Sequence, residues 1–287
     1  MSIPESLLQD IKEKTGLSIG ESESLSGGSI NRACRVRAGG KNYFLKYNRN
    51  APDDFFGKEA DGLQRLRKCA DKLIVPKVIT VGQPGTSRPG YLLMEFIQTG
   101  RTGDASALGS GLAHMHQNHS SSFGLQNDNY IGSLPQQNNE HTEWESFFAE
   151  ERIGPQLKMA VDSGKLTKDL VSNWNRLSNQ LNSLLPKTKP SFLHGDLWSG
   201  NYMFNEEGTG VLIDPAVYYG HPEMDLAFTT MFGGFPSDFY AGYRSVSEFE
   251  PGFDNRVDIY NLYPLLVHVN LFGGHYTSGA VRFLKQF

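Results

Sequence analysis

Between Phe192 and Pro215 the sequence reads FLHGDLWSGNYMFNEEGTGVLIDP. An apolar pair, Phe192-Leu193, runs into His194-Gly195-Asp196. Four residues then separate Asp196 from Asn201, and a short apolar strand, Val211-Leu212-Ile213, delivers Asp214. A tight loop here holds the Asp196 carboxylate where a substrate hydroxyl can hydrogen-bond to it, the position of a general base. Gly195 and Gly200 let the backbone turn sharply around it. Asn201 and Asp214 offer one amide and one carboxylate oxygen, hard donors that suit a Mg²⁺ ion whose remaining positions are filled by phosphate and water. A base beside a hydroxyl and two oxygen ligands beside a phosphate are the parts of phosphoryl transfer to an alcohol. Taken singly, each of these residues is an ordinary cap or turn residue. The order and spacing carry the chemistry.

A second group of candidates lies upstream. Lys46 sits inside the apolar strand Phe44-Leu45-Lys46-Tyr47, where a buried amine needs an anionic partner. The following segment, DDFFGKEADGLQRLRK, has helical periodicity with Phe55, Phe56, Leu63 and Leu66 on one face. Glu59 lies on or near that face and is the expected partner of Lys46. Gly27-Gly28-Ser29, in a turn between strands, would let backbone N–H groups approach an anionic phosphate, although such a turn is also an ordinary hairpin. No GK[ST] follows, so it is not a Walker A loop. The strand YLLMEFI at Tyr91–Ile97 ends in Met94-Glu95-Phe96 before a polar stretch, a place where backbone groups of Glu95 and Phe96 meet an adenine ring or where a strand simply ends.

These residues must be positioned by a mixed set of elements. Ser2-Ile-Pro-Glu5 reads as a capping box for a helix carrying Leu7, Leu8 and Ile11 and stopping near Gly16. Short strands are expected at Leu25, Ala33–Arg37, Tyr43–Tyr47, Ile74–Val81 and Tyr91–Ile97. Helices are expected from Asp104 through His116, over Trp144–Ala160 and Leu166–Leu185, and over Tyr260–Phe272, with Ser120–Asn139 a long polar loop. Asp225, opening a helix after the Asp214 strand, is placed to cap it and brace the loop at Asp196. His114 and His116 would point about 200° apart on a helix, so with His119 they do not form a zinc helix. The fold class is therefore α+β, with an N-terminal sheet lobe at 1–97 and a mainly helical lobe at 98–287.

With 287 residues and 38% hydrophobic content, the chain is long enough for two lobes. A net charge of −4 supplies no basic field for nucleic acid. No apolar run reaches the roughly 18 residues of a membrane span. The start, MSIPESLLQDIKEK, lacks the pattern of a secretory signal, and Cys34 and Cys69 show no metal or redox spacing; Cys34 reads as a small packed residue. These features fit a cytoplasmic protein.

In the order Gly turn, strand Lys, helix Glu, strand end, HGD-x-x-x-x-N and strand Asp, the chain resembles the small-molecule branch of the protein-kinase-like fold, which includes aminoglycoside and choline kinases. Within that branch it is similar to the fructosamine kinase (ketosamine-3-kinase) family. The likeness lies in HGDLWSGN at His194–Asn201, DPAVYYGHPEMDLA at Asp214–Ala227, FGLQNDNYIGSLPQQN at Phe123–Asn138 and FFAEERIGPQL at Phe147–Leu157. The resemblance implies ATP and Mg²⁺ as cofactors and a small or protein-linked ketoamine as substrate. The phosphate would go to a sugar hydroxyl, typically O3, after which the adduct decomposes and frees the amine. It implies Asp196 as base, Asn201 and Asp214 on the metal, Lys46 and Glu59 at the ATP phosphates, and Trp198 lining the sugar. His268 in HVNLFGG matches a substrate-side histidine, though it also reads as a core residue of an apolar helix. Pro222 stands where the family usually carries a basic residue after Gly-His. Two alternatives stay open: a kinase for another small hydroxyl compound, and a catalytically silent nucleotide-binding protein.

Overall fold

The computed structural model describes residues 3–25 and 30–287. The Ser2 end of the expected capping box and the Gly27-Gly28-Ser29 turn lie outside the described residues. Two compact units emerge, one of residues 1–104 with 203–215, the other of residues 105–202 with 216–287.

The first unit is built on a five-stranded antiparallel sheet in the order β1-β2-β3-β5-β4. Its members are β1 (Ser22–Leu25), β2 (Arg32–Ala38), β3 (Lys41–Asn48), β4 (Val78–Gly82) and β5 (Gly90–Glu95). Helix α1 (Glu5–Thr15) follows Pro4, which makes no side-chain cap, and stops at Gly16, left-handed at φ 75°, whose N–H returns to Lys12 O at 2.8 Å. Its Leu7 and Ile11 pack with Cys34, Val36, Leu45, Tyr47 and Leu93 in one apolar cluster. Because side chains alternate along a strand, Leu45 and Tyr47 share that face while Lys46 points to the other. Helix α2 (Phe55–Cys69) buries Phe55, Phe56, Ala60, Leu63 and Leu66, the stripe expected from the sequence. Cys34 is 5% exposed, a packed core thiol as expected.

A later piece of chain completes this unit. Strands β9 (Tyr202–Phe204) and β10 (Gly210–Leu212) pair with each other. The Ile74 N–H donates to Gly210 O and the Leu212 N–H to Ile74 O, both at 2.9 Å, so β10 runs parallel beside residue 74. The stretch after β5 lies on the same piece: the Gly100 N–H donates to Phe204 O at 2.8 Å and the Asp104 N–H to Gly208 O at 3.1 Å. The expected strand at Ile74–Val81 is regular only from Val78; Ile74 is instead tied to Val211 as an isolated bridge.

The second unit is mainly helical. In chain order its elements are α3 (Ala105–His116), β6 (Asn129–Ile131), β7 (Leu134–Gln136), α4 (Trp144–Phe147), a π-helical turn at Phe148–Ile153, α5 (Gly154–Asp162), α6 (Asp169–Ser178) and α7 (Leu181–Leu184). After them come β8 (Ser191–Leu193), β11 (Tyr218–Gly220), α8 (Glu223–Phe228), α9 (Ser237–Arg244), α10 (Phe253–Phe272) and α11 (His275–Leu284). The antiparallel-sheet unit and the helical remainder match the α+β class read from the sequence.

Three local expectations need correcting. The polar stretch 120–139 is not structureless: β6 and β7 form a hairpin. The helix expected over Trp144–Ala160 is interrupted by the π-turn, within which Arg152 is fully buried. Its guanidinium lies 3.9 Å from the Tyr218 ring centroid and 4.5 Å from that of Phe147, and it donates to Gln137 O (2.6 Å) and Asn138 Oδ1 (2.7 Å). A buried cation that is stacked and hydrogen-bonded at once locks the loop before α4 to β11, a tertiary demand with no local sequence signal. The helix expected over Leu166–Leu185 breaks into α6 and α7 after Ser178.

Candidate functional site

In the first unit Lys46 is 8% exposed at the middle of β3. Its Nζ donates to Glu59 Oε1 at 2.9 Å, across to α2, and also contacts Asp214 Oδ1. Three residues up to 168 positions apart thus meet at one ammonium. Period-two alternation turns Lys46 toward α2, the helical stripe presents Glu59, and the tie between β10 and residue 74 brings up Asp214. Burial alone would push the Lys46 pKa down; the Asp214 and Glu59 charges outweigh it and hold it above its ordinary value. Burial raises the Glu59 pKa, the Lys46 charge opposes that, and the Asp214 charge adds to it. Two carboxylates sharing one ammonium leave the cluster itself with an uncompensated negative charge.

Asp214 adopts φ 54°, a left-handed conformation unusual outside glycine, and its side chain is 40% exposed. Backbone strain of this kind persists where the surroundings impose it and recurs at functional sites. With Oδ1 on Lys46, the second carboxylate oxygen makes no hydrogen bond among the described residues. At the end of β5, Met94 is buried, and the Glu95 N–H is already given to Lys77 O at 2.8 Å, which withdraws that donor from any ligand.

In the second unit the loop after β8 is organised from beneath. Asp225, 1% exposed on α8, accepts the His194 N–H at Oδ2 (2.8 Å) and the Gly195 N–H at Oδ1 (2.9 Å). The same Oδ2 lies 3.1 Å from His116 Nε2, and His116 Nδ1 lies 2.8 Å from the Tyr243 hydroxyl. Burial would raise the Asp225 pKa; the His116 hydrogen bond and charge, the His194 charge and the Gly195 N–H together bring it below the usual value. Gly195 is required here: at φ 80° a Cβ would sit 2.1 Å from Ala216 O. The brace expected at Asp225 is therefore present, but the cap is not: Pro222 is the N-cap of α8, and Asp225 lies inside the helix with both oxygens on the loop amides. His116 and Tyr243 were missed; the only signal was a histidine on the apolar face of α3 beside Leu112 and Met115, which are buried with it.

Above this brace, Asn201 donates through Nδ2 to Asp196 O (2.8 Å) and Oδ2 (2.9 Å). The amide thereby orients the carboxylate and keeps its own Oδ1 out of that interaction. From the far side, the β6–β7 hairpin holds the chain just beyond Asp214. Gln136 Nε2 donates to Ala216 O at 3.1 Å and Asn129 Nδ2 to Val217 O at 2.8 Å. Trp198 is half-buried and meets Phe232 edge-on with centroids 5.8 Å apart; Phe232 in turn lies 4.8 Å from His268. Pro222 stands as N-cap of α8 at φ −52°, a conformation proline favours, beside the buried His221.

Each unit, taken by itself, carries an oxygen donor of the kind a hard cation takes: the second Asp214 oxygen in the first and Asn201 Oδ1 in the second. No cluster of three or more His, Cys, Asp or Glu residues that would hold a metal by themselves occurs among the described residues.

The family model described as "Fructosamine kinase" matches residues 4–287. A "Probable ketoamine kinase" of Lactiplantibacillus plantarum is 42% identical over 92% of this chain and 93% of its own length. The chloroplastic "Protein-ribulosamine 3-kinase" of Arabidopsis thaliana is 36% identical, covering 92% of this chain and 81% of that one. Among solved structures, one from Thermobifida fusca, named provisionally as a fructosamine-3-kinase, superposes at TM-score 0.86 with 32% identity over 98% of this chain and 97% of that one. A thermostable mutant of an aminoglycoside phosphotransferase, in ternary complex with ADP and hygromycin B, shares the fold at TM-score 0.64 and 16% identity, over 98% of both chains.

Proposed function

Because the chain belongs to the fructosamine kinase family, we propose that it transfers the γ-phosphoryl group of ATP to a sugar hydroxyl, O3, of a ketosamine such as a fructosamine or ribulosamine, as a step in deglycation repair. The observation that carries this reading is the meeting of Lys46, Glu59 and Asp214 in a chain that matches the family from residue 4 to its end. The relative named as a ribulosamine 3-kinase supports both the acceptor class and O3.

In this reaction the sugar O3 forms a bond to the γ-phosphorus as the bond from that phosphorus to the bridging oxygen of ADP breaks. Asp196 accepts the hydroxyl proton on a carboxylate oxygen, its orientation fixed by Asn201 Nδ2. Lys46, steadied by Glu59, binds the α- and β-phosphates, and backbone N–H groups of Gly27, Gly28 and Ser29 serve the same phosphates. The strand end at Met94, Glu95 and Phe96 receives the adenine through groups other than the Glu95 N–H; residues 1–97, joined by the returning residues 203–215, form a nucleotide-binding lobe, and the rest of residues 98–287 a catalytic and substrate lobe. Asn201 and Asp214 would hold Mg²⁺, which when bound would neutralise charge on the transferring phosphates. Trp198 stacks on the sugar's C–H face and His268 serves the substrate side. We place the protein in the cytoplasm; neither Cys34 nor Cys69 is in a disulfide, which suits a reducing compartment.

An ATP-consumption panel comparing fructosamines and ribulosamines with aminoglycosides and choline tests the assignment, with Asp196→Asn as control. Ketoamines are expected to be the fastest acceptors. Asp196→Asn should retain nucleotide binding while kcat falls by about 10²- to 10⁴-fold, the usual reach of general-base catalysis. Wild-type turnover in that variant would remove Asp196 from its role. Faster turnover of aminoglycosides would change the substrate class, and ATP binding without turnover of any ketoamine would make the chain a silent nucleotide-binding protein.

A further inference from the structure

Two large apolar side chains stay exposed among the described residues, Phe232 at 38% and Phe272 at 52%, and both belong to one group of rings. Helix α10 ends at Phe272, one turn after His268, and the Gly273-Gly274 turn brings in Tyr276 from α11. Around the His268 imidazole, ring centroids lie 4.8 Å away for Phe232, 4.9 Å for Tyr276 and 5.6 Å for Phe272. The group is continuous with the loop that carries Asp196: Phe232 touches Trp198, and the Ser199 hydroxyl donates to Phe232 O at 3.3 Å. Phe232 has φ 53°, a conformation a bulky residue holds only where its surroundings impose it. The chain thus accepts strain to present this ring beside the loop.

The polar centre of the group is also defined. His268 Nδ1 lies 2.7 Å from Pro264 O, an atom that only accepts, so Nδ1 carries the proton. With the proton on Nδ1, Nε2 of the neutral ring is the acceptor, and burial together with the charge of His275 favours that neutral form against the pull of the Pro264 carbonyl. Aromatic faces around a neutral acceptor suit an organic ammonium: the rings attract the cation and Nε2 takes an N–H. A ketoamine carries such a group, because its secondary amine, next to the sugar carbonyl carbon, is protonated at neutral pH.

We propose that Phe232, Phe272 and Tyr276, grouped around His268, form a ledge that receives the ammonium and the apolar start of the ketoamine's amine carrier. This ledge sets preference for the carrier and rests on the kinase reading above.

The test uses two probes, N-hexyl-1-amino-1-deoxyfructose and its uncharged 1-O-hexyl ether, with binding measured by calorimetry and phosphorylation measured separately by ADP release. Wild-type protein should bind the amine about 10-fold more tightly than the ether. Phe272→Ala combined with Tyr276→Leu should weaken amine binding by about 10-fold and bring the amine-to-ether ratio toward one. Phe272→Lys, at an exposed position that tolerates the side chain, should weaken the amine further by like charge and spare the ether. Unchanged amine binding in these variants, equal wild-type binding of both probes, or binding of neither would overturn the ledge. Selective binding without phosphorylation would leave the ledge and remove the kinase reading. Phosphorylation that is indifferent to all three substitutions would do the reverse.

Discussion

At Lys46, burial and pairing act in opposite directions, and pairing wins only while both carboxylates are present. Lys46→Met removes the one cation and leaves Glu59, with a side chain 12% exposed, facing the like charge of Asp214. Breaking a buried pair by deleting one partner is costly, about 3 kcal/mol. The expected outcome is a lower urea midpoint with an unchanged m-value, together with a raised KM for ATP. A variant as stable as wild type would mean that Glu59 protonates and the pair contributes little. Lys46 was legible in the sequence because a charged residue interrupts an apolar strand. Glu59 was legible because the helix after that strand has one apolar stripe. Asp214 was legible as a motif member, but its direct contact with Lys46 depends on the tie between residue 74 and β10, which no local pattern encodes.

The loop at Asp196 rests on elements rather than on its own residues. Helix α8 supplies Asp225, α3 supplies His116 and α9 supplies Tyr243, so three helices must dock before the His194 and Gly195 amides find their acceptor. Asp225 could be foreseen as a brace from its place just after the motif, although Pro222 and not this acid turns out to be the N-cap of α8. His116 and Tyr243 could not, because their partnership spans 127 positions. The amide braces Asn129 and Gln136 were hidden for a related reason: polar residues in a Gly- and Pro-punctuated stretch look like solvated loop until the carbonyls they serve are known. At the start of α8 the buried His221 has its pKa pushed down to about 3, chiefly by burial and then by the Arg256 and His116 charges. The folded state keeps this ring neutral while the unfolded chain protonates it near its ordinary value of 6.5. Between those limits the unfolded state binds the extra proton. The His221 contribution is therefore complete above about pH 6.5 and is lost as pH falls toward 3, at up to about 1.4 kcal/mol per pH unit. Comparing urea midpoints of wild type and His221→Gln from pH 7 to pH 4 should show the two curves converging as the medium acidifies. A constant offset would mean that the ring is already charged in the fold.

At the scale of the whole molecule, the proposed ligand should be visible as added stability. A nucleotide–Mg²⁺ complex that binds only the folded state at about 100 times its Kd contributes about 2.7 kcal/mol. For a chain of this size that is a Tm increase of about 5–10 °C, read by calorimetry. Lys46→Met should abolish most of it while Asp196→Asn keeps it, because the first residue is assigned to the phosphates and the second to the acceptor hydroxyl. An equal shift in both variants would separate ATP binding from Lys46. The α+β division and the two clusters of candidate residues were readable from order and spacing. Their assembly was less so, because the chain does not divide at one place.

The path of residues 203–215 has a consequence for anyone who would take this protein apart. The chain leaves the sheet unit at Asp104, builds most of the helical one, and returns for thirteen residues before departing again. A stop codon after Asp104 would yield a fragment with Lys46 and Glu59 but no Asp214, and with the backbone of residue 74 missing its β10 neighbour. The amine would then be made by the ribosome long before the acid that answers it. Until translation passes residue 215, the nascent sheet unit must wait with a charged centre half assembled.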